Sequence, residues 1–181
     1  MMQQIKLTAV VSAALLLQAC TSPTVPVYQT SAANLIRLSQ LDRNKKLAVG
    51  SVTSRVDFNK VSLCRLAGAI SLPGNESLED FVRGALIKEL VTSGVYRQEA
   101  GSIINLEITD IHFISVTPAY WRISARVSSP KYTQGYQVSI KQRFDTSYDA
   151  ISACGNTADA LVTAVQALIT AILNHPKFTS L

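Results

Sequence analysis

Tyr120-Trp121-Arg122-Ile123-Ser124-Ala125-Arg126-Val127-Ser128 alternates apolar and polar residues without a break. Successive side chains of a strand point to opposite faces, so Trp121, Ile123, Ala125 and Val127 line one side while Arg122, Ser124, Arg126 and Ser128 line the other. A strand of this kind is buried on one face only, which points to antiparallel pairing; a fully covered parallel sheet would lack such regular polar partners. The pattern returns in Tyr136, Val138, Ile140 and Phe144, set against Gln137, Ser139, Lys141 and Arg143. Ser129-Pro130 to Gln134-Gly135 between them predicts a hairpin loop.

Upstream, Ile104, Leu106 and Ile108 share one parity and Ile111 and Phe113 the other, which predicts a bulge near Thr109-Asp110. Lys46 to Thr53 reads as a first strand and Val56 to about Leu66 as a second, with Val61, Leu63 and Arg65 on one side and Ser62, Cys64 and Leu66 on the other. Pro73-Gly74-Asn75 then stops extended structure.

Two helices complete the pattern. Ser77 with Asp80 three residues on forms a capping box, and Leu78, Phe81, Val82, Ala85, Leu86 and Leu90 make an apolar stripe of helical period that Gly94 ends. Gly84, inside this helix, costs about 1 kcal/mol relative to alanine, a cost that close approach of another backbone would explain. A second helix is expected from about Thr157 to Asn174, capped by Asn156 and stopped by His175-Pro176. The order β-β-α-β-β-β-α, with a one-sided sheet and two amphipathic helices, predicts an α+β fold: a two-layer sandwich, mostly antiparallel, of about four to five strands with both helices on one face.

The beginning of the chain sets an address. Lys6 precedes an eleven-residue apolar run from Leu7 to Leu17, then Gln18-Ala19-Cys20. The run is well short of the ~20 residues that span a hydrocarbon core, and reads as a secretory signal. Its end resembles the bacterial lipobox. That resemblance implies cleavage before Cys20, a diacylglyceryl thioether on its sulfur and a fatty acyl group such as palmitate on its amine, and, with Thr21 where inner-membrane lipoproteins usually carry aspartate, an outer-membrane protein facing the periplasm. Two or three acyl chains hold a protein at a bilayer where one does so only marginally. The expected organisation is therefore 1–19 as cleaved signal, 20–44 as lipidated cysteine and tether, and 45–181 as one folded domain. Within the tether, Ser31 to Leu41 reads equally as a short helix or as an irregular segment against the domain.

With Cys20 acylated, Cys64 and Cys154 remain, an even pair in an oxidising compartment that reads first as a disulfide. Two buried thiols and half of a zinc site are the competing readings; zinc needs three or four convergent ligands, and the chain adds only His112 and His175. No metal and no cofactor is expected.

The chain has 17 basic and 12 acidic residues, a formal net charge of +5, of which the signal takes only Lys6. The basic residues are dispersed, without the aromatic interleaving of a nucleic-acid surface, so nucleic-acid binding is not expected. No Gly-x-Ser-x-Gly elbow, His-Glu-x-x-His pair or phosphate-binding glycine loop occurs, and Glu76, Glu79 and Asp80 are accounted for by helix capping; an enzyme is not expected. Arg122, Arg126, Lys141 and Arg143 are the candidate partner-binding residues, a basic sheet face for an acidic protein or lipid phosphate. Tyr120, Tyr132 and Tyr136 stand at strand ends where aromatic rings serve interfaces.

Phe81 to Tyr96, the strand Ile103 to Ile108 and the closing helix Ala158 to Ile172 resemble the YajG-like and transport-auxiliary lipoproteins. The resemblance implies helices buried on a small sheet and a membrane-anchored, non-enzymatic accessory role toward another component of the envelope's transport or assembly machinery. It carries no active-site residue, and the Cys64–Cys154 pair departs from it. The alternative is a periplasmic carrier of a lipid or small molecule, which needs an apolar pocket between sheet and helices.

Overall fold

The computed structural model describes residues 22–42, 44–65 and 67–181. The stretch expected as a signal peptide, and Cys20, lie outside the described residues. Helix α1 (Ala32–Ser39) is followed by β1 (Leu47–Ser54), the short α2 (Phe58–Val61), α3 (Leu78–Thr92), β2 (Ser102–Ile114), β3 (Tyr120–Ser128), β4 (Tyr136–Arg143) and the long α4 (Ala150–Asn174). One four-stranded sheet runs in the order β1-β2-β3-β4. It is the expected α+β sandwich: α3 lies over β1 and α4 over β3 and β4, on one face, with α1 packed across both helices.

The sheet is mixed. β3 pairs antiparallel with β2 and β4, as the alternation requires, but β1 runs parallel to β2, Leu47 opposite Ser102 and Ser54 opposite Ile108. The segment between them is long enough to hold the helical crossover that parallel neighbours need, and α3 supplies it. The register shift in β2 falls between Ile108 and Asp110, which keeps Ile108 and Ile111 both buried, as the parity change predicts.

The expected second strand is absent from the described residues. Asp57 instead accepts a hydrogen bond from Asn59 N and starts α2, after which Cys64 N donates to Gly68 O and Ile70 N to Ser62 O, closing a compact loop. Burial still alternates, Ser62 and Cys64 inside and Leu63 outside, but only a single bridge to Ala69 accompanies it. The sequence alternates there because the segment lies on the core, not because it joins the sheet.

α4 begins seven residues earlier than its predicted start at Thr157. Asp149, not Asn156, is the cap, accepting from Ser152 N at 2.8 Å. Gly155-Asn156 reads locally as a break, yet the flanking Ala153, Cys154 and Thr157 are fully buried, so packing overrides propensity. α4 is long and apolar enough by composition to cross a membrane. Its apolarity here is that of a core helix, with Leu161, Val165, Leu168 and Ile172 packed under the sheet. Trp121 is wholly buried, and its indole N–H reaches Thr157 O at 2.8 Å, so the largest core side chain also satisfies its one donor.

Cys64 and Cys154 are joined, their Cα atoms 5.8 Å apart. The bridge ties the loop after β1 to the first turns of α4.

Candidate binding surfaces

The four candidate cations do stand on the side of the sheet away from the helices, but they are not four free charges. Arg122 and Lys141 are direct cross-strand partners, a placement that repels unless each charge is drawn elsewhere. Arg122 Nε lies 3.2 Å from Asp110 Oδ2, and Lys141 Nζ sits 3.9 Å from the centre of the Tyr120 ring, a cation–π contact. Arg126 donates to the carbonyls of Thr133 and Gln134 and so staples the β3–β4 loop. Arg143 is exposed at the end of β4, with no carboxylate within 4.0 Å among the described residues.

Carboxylates complete the face. Arg55 holds Glu107 in a two-point contact at 2.7 and 3.0 Å, and this hydrogen bonding keeps the Glu107 carboxyl below its ordinary range. Asp110 Oδ2 is shared between Arg122 and His112 Nδ1, the latter at 3.4 Å. Ser124 and Ser139 bridge hydroxyl to hydroxyl at 2.9 Å. The result is a wide polar surface of interleaved charges with a cationic excess.

This face continues into an open edge. Phe144 N donates to Ala119 O, which fixes the antiparallel alternation: even-numbered residues of β4 bond to β3, while the backbone groups of Gln137, Ser139, Lys141 and Arg143 turn to the free side. The same four residues point their side chains onto the polar face. A partner strand added here would meet both backbone donors and cationic side chains.

Tyr136 belongs to the core instead of an interface: it is 5 % exposed, donates to Ile172 O at 3.1 Å, and burial pushes its phenol well above the ordinary range. Tyr132 packs against the core from the hairpin loop, with Lys177 Nζ at 3.1 Å from its hydroxyl. His175 stacks on Tyr136 and accepts from Lys177 N, capping the final 3-10 turn.

The N-terminal segment expected as a tether is docked. Pro23 O accepts from Ser71 N and Val25 N donates to Ser71 O, while Val25, Tyr28 and Leu38 are buried. Its keystone is Glu89, wholly buried, whose Oε1 accepts from Tyr28 Oη at 2.6 Å, Ser31 N at 2.8 Å and Asn34 Nδ2 at 3.1 Å. Thr170 on α4 donates to Asn34 Oδ1, so one carboxylate gathers the strap, α1 and both long helices. The sequence carried a signal for this: Glu89 stands four residues after Ala85 and three after Leu86, on the apolar stripe of α3, where a lone charge needs partners.

The space between sheet and helices, which a carrier would need open, is filled by Trp121, Ile123, Leu161 and Leu168, all essentially without exposure. Concavities lie at the rim, such as a groove of about 350 Å³ between β4 and α4 lined by Arg143, Asp145, Asn156 and Asp159. Among the described residues no group of three or more His, Cys, Asp or Glu converges as a metal site.

The class these features define is a small α+β domain with a mixed four-stranded sheet, one face under helices and one open. No family model and no curated protein matches the sequence. Among solved structures it has a distant likeness to protein XCC0632 from Xanthomonas campestris, described with the family DUF330: 12% identity, 84% of this chain and 94% of that one covered, TM-score 0.48. A second crystal structure, described as an uncharacterized protein, gives 10% identity, 82% and 99% coverage and a TM-score of 0.38. Neither likeness bears on function.

Proposed function

We propose that this chain is a lipid-anchored, non-enzymatic accessory protein of the bacterial outer membrane, facing the periplasm and binding another envelope protein through the open sheet face and the free edge of β4. The observation that carries the reading is that Lys141 and Arg143 set cationic side chains on the polar face while turning their backbone groups to the adjoining free edge, and that no element among the described residues covers that face. The signal and Cys20 supply the address, and the similarity to YajG-like and transport-auxiliary lipoproteins supplies the kind of role. Anchoring confines the domain to a surface, which raises its effective concentration near a partner on the same membrane.

A photo-crosslinker placed at Ser139, in the middle of this face, tests the reading in intact envelopes. A discrete adduct is expected that is lost when Lys141 and Arg143 are changed to glutamate, and a crosslinker at Val91 on α3 should not give it. An adduct unchanged by the charge reversals rejects the face as the binding surface. Cys20→Ser should release the protein from membranes; retention would reject the anchor.

A further inference from the structure

Some of the large apolar side chains that stand in solvent on this domain, such as Val27, Ile36 and Val91, come one to an element and need no explanation. Four others need one. Leu63 (66 % exposed), Val116 (56 %), Tyr148 (fully exposed) and Ile151 (80 %) come from the loop after β1, the β2–β3 turn, the β4–α4 segment and the first turn of α4, which the topology places at one end of the sandwich. Arg65 brings them together. Its guanidinium donates to Ser115 Oγ and O and to the carbonyls of Ser147, Tyr148 and Asp149, and with Val116 and Tyr148 it lines a groove of about 540 Å³. The Cys64–Cys154 bridge fixes the same end, one residue from Leu63 and one turn from Ile151. An apolar rim is thus held rigidly outward by one arginine and one disulfide.

The start of the described chain lies at this rim. Residues 23–25 are hydrogen-bonded to Ser71, and Ser22 Oγ lies 3.3 Å from where a Cβ on Gly68 would stand. Gly68 accepts from Cys64 N, and its neighbour Ala69 bridges Leu63. Cys20 precedes Ser22 by two residues, at most about 7 Å of extended chain. An acyl group on Cys20 therefore has no long tether: it brings the rim, and not the sheet face, to the bilayer.

We propose that this rim rests on the lipid bilayer itself, with Leu63, Val116, Tyr148 and Ile151 entering the boundary between headgroups and acyl chains. The inference rests on the acylation of Cys20 proposed above. It orients the domain with its strands rising from the membrane, so that the open face and the β4 edge look sideways along the surface, where a neighbouring membrane protein would be met. Charge does not drive the contact: Lys60 is paired with Asp57 at 3.4 Å, and the charge that Arg65 keeps is offset by the carboxylate of Asp149, whose backbone carbonyl it bonds. Seating by apolar burial is indifferent to the sign of the headgroups.

The test uses the full-length acylated chain in vesicles of phosphatidylethanolamine and phosphatidylglycerol whose acyl chains are brominated near the headgroup. Tryptophan is introduced by Tyr148→Trp or Ile151→Trp, and for comparison by Ser139→Trp on the sheet face or Val91→Trp at the far end of α3. Trp121, fully buried, is a constant background that also reports folding. Quenching at 148 and 151 is expected to exceed that at 139 and 91 by about twofold or more, since a shallowly inserted side chain sits within ~5–10 Å of the headgroup boundary, and to persist in brominated phosphatidylcholine alone. Protein that floats with the vesicles but quenches equally at all four positions overturns the orientation and leaves the anchor standing, as would happen were the rim covered by a protein or a second copy. Protein that does not float overturns both.

Discussion

Tyr28 and Glu89, 61 residues apart in sequence, meet inside the core, phenol donating to Oε1 at 2.6 Å. The pair fastens the N-terminal strap to α3, and Glu89 Oε2 has no hydrogen-bond partner among the described residues. Tyr28→Phe removes one donor to a carboxylate and should cost about 1.5–3 kcal/mol. Glu89→Ala takes the acceptor from three donors at once, leaving the Tyr28 hydroxyl and Ser31 N without it while Asn34 Nδ2 keeps Gln166 O, and should cost more, about 3 kcal/mol or above. Glu89→Gln keeps an acceptor in place and should cost less than alanine. Denaturant unfolding checks the ranking, and limited proteolysis within residues 22–42 should accelerate in the same order. Equal losses for glutamine and alanine would show that the acceptor oxygen is not what holds the strap.

Burial and the Glu89 contact raise the Tyr28 phenol well above its ordinary range, and burial alone raises Tyr136. A raised acid favours the neutral form in the folded state. The stability it contributes is fully present below the unfolded tyrosine pKa of about 10 and is lost as pH climbs above it, because the unfolded chain deprotonates first. Unfolding midpoints should therefore fall steeply above about pH 10, and the double change Tyr28→Phe with Tyr136→Phe should flatten that fall even though it lowers stability at neutral pH. A slope unaltered by the double change would assign the alkaline loss to other groups.

The Cys64–Cys154 bridge closes a loop of 90 residues, for which chain-entropy arithmetic gives up to about 4–5 kcal/mol. Reduction should lower stability by no more than that and should lower gel mobility relative to the unreduced chain. Because the bridge fixes the N-terminal turns of α4, amide exchange after reduction should speed most at residues 150–156 and least in β2 and β3. Uniform acceleration would mean that the bridge supports the whole domain and not this corner.

How far the residues revealed this structure depended on whether their partners were local. The strands β3 and β4, the bulge after Ile108 and the Ser77 cap are set by alternation or by neighbours within three residues, and all were legible. The parallel seat of β1 was not, because Leu47–Ser54 reads the same whichever way its neighbour runs. The stretch from Val61 to Cys64 alternates in burial but takes its shape from Arg65, whose bonds reach 50 to 84 residues along the chain. Arg122, Arg126, Lys141 and Arg143 could be assigned a face by parity, whereas what each charge is spent on, Asp110, Tyr120 or the carbonyls at Thr133 and Gln134, follows only from cross-strand register. Glu89, a charge on the apolar stripe of α3, drew no reading from the sequence, because its partners lie in a supposed tether.

Gly84 corrects one expectation and yields the simplest test. A glycine inside α3 suggested a second backbone pressed against it, but a Cβ built there meets nothing within 4 Å, and the residue is exposed. Its φ is not in the positive region that favours glycine, so alanine can take the same conformation without strain. Gly84→Ala should then stabilise the domain by about 0.5–1 kcal/mol, through higher helix propensity and a less flexible unfolded chain. The position borders a shallow groove with Val27, Tyr28 and Lys88, beneath the docked strap. If alanine instead destabilises, or speeds proteolysis of residues 22–42, the strap settles onto α3 at this position and the small residue is kept for that contact.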